Sequence, residues 1–103
     1  MEVALVTPVA EHIMVKVVET NGNEIYFKVR RTTPMKKLMD ASCERMGVNR
    51  DSVRFLYEGQ RVNNEDTGVS LEMEEGSTNI IDAMVAQVGG GGRRKKIDFI
   101  VYS

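Results

Sequence analysis

The sequence predicts an α+β domain, a mixed sheet crossed by one main helix. Three observations carry this: an alternating hairpin over residues 12–30, an apolar helical stripe over 33–47, and further alternating runs at 53–57 and 79–85. A chain of 103 residues has room for one such domain and one modest core. Apolar residues at 42% and charged residues at 28% are ordinary for a soluble globular protein, which sets aside disordered and membrane classes. Fourteen basic and fifteen acidic residues nearly cancel, so no whole-molecule field is expected to draw the chain onto nucleic acid. Cys43 is the only cysteine, which excludes an intrachain disulfide and suits a reducing compartment.

Residues 1–11 read as a loose arm interrupted by Pro8, without the basic flank and long apolar run of a leader or membrane span. Ile13, Val15 and Val17 then alternate with Met14, Lys16 and Val18, as a half-buried strand requires. Thr20-Asn21-Gly22-Asn23 supplies a tight turn, and Ile25, Phe27 and Val29 return on one face of a second strand. Thr33-Pro34 is a helix start, with threonine as the cap and proline at the first helical position. Met35, Leu38, Met39, Ser42, Cys43 and Met46 form the apolar stripe of a helix that stops near Gly47.

Val53, Phe55 and Tyr57 alternate again, and Glu58-Gly59-Gln60 turns the chain into a short strand at Arg61-Val62. Asp66-Thr67 begins a single helical turn before Leu71 and Met73 rejoin the core. Residues 79–85 form the last strand, with Ile81 and Ile80 buried, and the four glycines at 89–92 end regular structure. Strand, strand, helix, strand, short strand, strand is the order of the β-grasp, or ubiquitin-like, architecture, with its first and last strands parallel at the centre; other small α+β domains share similar strings.

The residues narrow this. Phe27-Lys-Val-Arg-Arg-Thr-Thr-Pro-Met-Lys-Lys-Leu38, Cys43-Glu-Arg45, Val53-Arg-Phe-Leu-Tyr-Glu-Gly-Gln-Arg61, Leu71-Glu-Met-Glu-Glu75 and Gln87-Val-Gly-Gly90 fall in family order and closely resemble SUMO, the small ubiquitin-related modifiers. The likeness covers about residues 12–90, and Ile81-Asp-Ala-Met84 with Gln87 looks most like plant members. The resemblance implies a flexible arm over 1–11, a ubiquitin-like domain over 12–88 and a glycine-rich end over 89–103 whose basic and apolar tail is removed. It also implies a tag rather than an enzyme, without a cofactor, acting as a monomer in the nucleus and cytoplasm.

Three surfaces follow from the resemblance. A SUMO protease would recognise Gln87, Val88, Gly89 and Gly90 and cut after Gly90. Activating and conjugating enzymes would then pass the Gly90 carboxyl to lysines of target proteins. Glycine suits this step because, lacking a Cβ, it threads narrow enzyme channels. Phe27, Val29, Arg30, Lys37, Leu38, Ser42 and Arg45 would form a groove beside the second strand for hydrophobic SUMO-interacting motifs, gripped as an added strand. Glu58, Glu74 and Glu75 would form an acidic surface that docks the conjugating enzyme.

Read alone, each signal has a plainer meaning: a glycine linker, core apolar residues at Phe27, Val29 and Leu38, and a solvated acidic turn. The chain also departs from the family pattern. Val88 replaces a usual threonine, Ser42 a tyrosine, Arg30 a lysine and Gly68 a proline, and the turn at residues 76–79 is about two residues longer. Arg93-Arg-Lys-Lys96 and the apolar, β-prone residues 97–102 fall in the tail expected to be discarded, although the latter could pack on a partner. Cys43 sits on the apolar stripe with no evident route to His12, the only histidine, so neither a nucleophile pair nor a metal site is expected. The alternative in another functional class is a non-conjugated interaction domain that keeps its tail.

Overall fold

Period-two alternation sets the frame. The computed structural model describes residues 12–20, 22–85 and 97–101. In β1 (His12–Glu19), Ile13, Val15 and Val17 all turn to one face and are buried. β2 (Glu24–Arg30) returns antiparallel, so that Val29, Phe27 and Ile25 stand directly opposite those three residues. The reversal needs a left-handed residue, and Gly22 provides it at φ +97°, its N–H bonded to Glu19 O at 2.8 Å.

The helix α1 (Met35–Met46) follows, with Met35, Leu38, Met39, Ser42 and Cys43 buried and Gly47 closing it in the left-handed conformation. Its start differs from the expected threonine cap. Pro34 is the capping residue and makes no side-chain cap bond. Two carbonyls of a distant loop satisfy the first amides instead: Met35 N–H donates to Asp66 O at 2.7 Å and Lys36 N–H to Asn64 O at 3.2 Å. Free helix amides need acceptors, but nothing requires those acceptors to be local in sequence.

A single 3-10 turn at Arg50–Ser52 leads into β3 (Val53–Tyr57), and Glu58-Gly59, both at positive φ, reverse the chain into β4 (Gln60–Arg61). The short strand thus lies one residue earlier than Arg61-Val62, and Val62 is buried beyond it. The helical turn expected near Thr67 is held by backbone bonds from Leu71 N–H to Thr67 O, Glu72 N–H to Val69 O and Met73 N–H to Gly68 O, with Thr67 and Ser70 exchanging side-chain and backbone bonds at its start. Glu72, at φ +58°, ends it.

β5 (Thr78–Val85) runs parallel to β1, placing Val17 opposite Ile81, and antiparallel to β3. Asn79, Ile81 and Ala83 face the core, so strict alternation turns Ile80 outward, 46% exposed, against the expectation that it is buried. The expectation that the glycines end regular structure is also overturned. A sixth strand, β6 (Ile97–Val101), pairs in parallel with β2. Glycines interrupt a strand locally, but a β-prone segment beyond them pairs wherever an open edge accepts it. The sheet order is β4-β3-β5-β1-β2-β6, with the apolar side chains of α1 and the strands forming one core. The expected arm and the Gln87, Val88, Gly89 and Gly90 segment lie outside the described residues.

Two local features give predictions. Gly68 is buried, and a Cβ there would lie 2.6 Å from Ile13 Cδ1 and 3.2 Å from Arg31 O. Gly68→Ala should therefore lower stability by about 1–3 kcal/mol through overpacking. Urea unfolding reads this, and an unchanged midpoint would mean that the loop relaxes freely.

Asp40 accepts from Lys36 at 2.8 Å and Arg50 at 3.2 Å. The Lys36 hydrogen bond chiefly, with both cations adding their charge, holds its carboxyl below the ordinary range despite some opposing burial. A depressed folded pKa contributes stability above the unfolded value that is lost as pH falls through the folded one. Asp40→Asn should cost a few tenths of a kcal/mol at neutral pH, because the pair is exposed. The difference should close by about pH 2, as measured by unfolding at both pH values; a gap that persists in acid would contradict the account.

Candidate functional site

The β2 side of the molecule gathers the groove residues unevenly. Phe27, Val29, Leu38 and Ser42 have no exposed surface, with β6 in place along the neighbouring edge. They are wall and core at once, and an extended partner would meet mainly the backbone of β2. Arg30 at the end of β2 and Lys37 and Arg45 on α1 are exposed, giving this side basic rims. Ser42 Oγ is enclosed without a hydrogen-bond partner. The thiol of Cys43 is enclosed as well, and burial above all pushes its pKa up, disfavouring the thiolate that nucleophilic chemistry needs.

The opposite flank holds a cleft of about 670 Å³ lined in part by Tyr57, Glu58, Glu72, Glu74, Ile80 and Asp82. It brings together Glu58 and Glu74 of the expected acidic surface. Glu75 is not among its lining residues, and its carboxylate lies 3.9 Å from the Arg31 guanidinium. Two further carboxylates, Glu72 and Asp82, join the cleft beyond the three expected at the acidic surface. For Asp82 the signal was available, because a strand with Ile81 inward must turn 80 and 82 outward. Glu72 depends on the left-handed turn at its own backbone, which no periodicity reveals.

One buried amide holds this cleft in shape. Asn79 donates through Nδ2 to Met14 O at 3.1 Å and Glu74 O at 2.9 Å. Its Oδ1 accepts from Glu74 N–H at 3.0 Å and from the Tyr57 hydroxyl at 3.4 Å. The side chain thereby clips the acidic turn to β1 and β3. Burial, then the Glu58 and Glu74 carboxylates, push the Tyr57 hydroxyl above its ordinary pKa, so it remains a donor. Among the described residues no cluster of His, Cys, Asp or Glu could hold a metal ion, and no helix is long and apolar enough to cross a membrane.

The model of the family described as Ubiquitin-2 like Rad60 SUMO-like matches residues 13–85, from the first core residue of β1 to the end of β5. The chain belongs to this SUMO-like family. It is 46% identical to Small ubiquitin-related modifier 2 of Arabidopsis thaliana over 80% of this chain and 78% of that one. It is 42% identical to the ubiquitin-like protein pmt3/smt3 of Schizosaccharomyces pombe, over 82% of this chain and 71% of that one. Among solved structures, SUMO from Trypanosoma brucei superposes with a TM-score of 0.63 at 38% identity, covering 84% of this chain and 83% of that one. Caldiarchaeum subterraneum ubiquitin, at 20% identity and a TM-score of 0.66 over 77% of this chain and 99% of its own, shares the fold.

The β-grasp expected from the element order is therefore the fold of this SUMO-like chain. The relatives are named as modifiers, and this SUMO-like chain, like them, is not an enzyme. Within the SUMO-like frame, Asn79 anchors the turn that carries Glu74. Asn79→Ala should destabilise by about 2–3 kcal/mol, because Met14 O and both backbone groups of Glu74 lose their partner. The urea midpoint measures this; a loss below about 0.5 kcal/mol would show that water substitutes for the amide.

Proposed function

We propose that this chain is a protein modifier of SUMO type, cut after Gly90 by a SUMO protease and joined through the Gly90 carboxyl to lysines of target proteins. The observation that carries this is the family match over residues 13–85 running directly into Gln87-Val88-Gly89-Gly90. On this reading the activating enzyme adenylates the Gly90 carboxylate and transfers it as a thioester to the conjugating enzyme. The acidic cleft with Glu58 and Glu74 docks the conjugating enzyme, through charge opposite to a basic partner face. The basic-rimmed edge of β2 receives hydrophobic motifs as an added strand. The modifier works as a monomer in the nucleus and cytoplasm.

One observation favours a second reading, a non-conjugated adaptor that keeps its tail: β6 is part of the sheet. Reconstitution with activating enzyme, conjugating enzyme and ATP separates the two. A chain ending at Gly90 should form a thioester and the 103-residue chain should not. Absence of a thioester from the short chain would favour the adaptor. Intact mass after incubation with a SUMO protease checks the cut; a chain left unshortened would count against the modifier.

A further inference from the structure

The edge of β2 already carries a strand of this same chain. β6 runs parallel to β2, with Glu24 opposite Ile97, Tyr26 opposite Phe99, Phe27 opposite Ile100 and Lys28 opposite Val101. Ile100 is partly buried against the core, on the register position of Phe27. Phe99 stacks on Tyr26, ring centroids 4.7 Å apart and planes within 8°, yet remains 66% exposed. Among the described side chains the grip is thus a backbone ladder, one partly enclosed aliphatic side chain and one exposed aromatic stack. Ile97-Asp98-Phe99-Ile100-Val101 is extended and apolar with one acid, the ligand chemistry that a basic-rimmed strand edge selects.

A single chain can make this contact. Ala83 stands opposite Glu19, Val18 opposite Glu24, and Glu24 opposite Ile97, so β5 leaves the sheet at the end where β6 begins. The lateral distance is three strand spacings, about 14 Å. Residues 86–96, extended, could reach roughly 36 Å.

We propose that Ile97–Val101 is an intrachain ligand of the β2 groove, closing the uncut chain to hydrophobic motif partners until cleavage after Gly90 releases it. This rests on the groove reading given above. Hydrolysis breaks the Gly90–Gly91 peptide bond; water supplies the hydroxyl of the new Gly90 carboxyl group and a proton to the Gly91 amine. The same cut that creates the reactive terminus therefore opens the binding edge. The fully buried apolar core lies entirely between Ile13 and Ala83, so the shortened chain keeps its fold. Because the segment belongs to the same chain, its local concentration is in the millimolar range, enough to compete with micromolar partners.

The test titrates a fluorescent peptide, a four-residue Val/Ile core followed by acidic residues, against three proteins: the 103-residue chain, a chain ending at Gly90, and the 103-residue chain carrying Phe99→Lys and Ile100→Lys. The short chain and the double variant should bind alike, and about tenfold tighter than the uncut parent. A free peptide spanning residues 97–103 should compete the probe off the short chain. The difference should be independent of protein concentration, and β2 amides should exchange faster in the double variant than in the parent. Equal probe affinity for short and uncut chains would overturn this inference and leave the groove reading standing. A short chain that binds no probe would overturn the groove reading itself. A difference that vanishes on dilution would assign the strand to a second copy and overturn the intrachain closure.

Discussion

The parallel pairing of β1 with β5 is the constraint on which the rest depends. Two parallel strands cannot be joined by a tight turn, so the chain between them must leave the sheet and come back. Between them β2, β3 and β4 join the same sheet, and α1, between β2 and β3, is the part of the connection that leaves it and crosses its face. With β1 held between β5 and β2, the hairpin partner β2 is pushed to one side of the sheet and β3 with β4 to the other. The basic-rimmed edge of β2 and the acidic cleft lie on opposite flanks of a small domain because of this one pairing.

Loops supply what the regular elements lack. The segment around Asn64 and Asp66 caps α1 through its own carbonyls, and Arg50 ties Asn64 to Asp40 while packing over the Phe55 ring. Gly68 lets the following turn approach β1 more closely than a side chain would permit. Asn79 fastens the far end of the excursion to the strand it must join. The links from Asn79 to Met14 and from Met35 to Asp66 join residues distant in sequence, so the excursion returns to one defined place.

What could be read from the sequence was what repeats. The hairpin, the stripe from Met35 to Cys43 and the outward Asp82 all follow from periods of two or 3.6 residues, and the fold followed from their order. The cap of α1 could not be read, because its acceptors lie some thirty residues away and are backbone atoms with no residue signature. The role of Asn79 was hidden for a related reason: one amide in a turn-rich stretch looks like a turn residue until four partners surround it. Ile80 was misplaced by its hydrophobicity, and the neighbour Ile81 decides its direction. β6 was missed because glycines were read as an end rather than an interruption, and pairing in β2 depends on an open edge that only the assembled sheet creates. The groove residues named from resemblance fall on β2 and α1, but the enclosure of Phe27, Val29 and Leu38 follows from packing.

The brevity of β4 has a consequence for crowding. One side of this sheet ends in two residues, Gln60 and Arg61, both exposed and one of them charged, too short to template another strand. Backbone association between copies is therefore confined to the β2 side, where β6 is the outer strand. Two molecules joined there would present β4 at both outer margins, and the assembly would stop at a pair instead of growing into a ribbon. Crowded copies are thus limited to pairs, and the sheet itself does not seed a fibre.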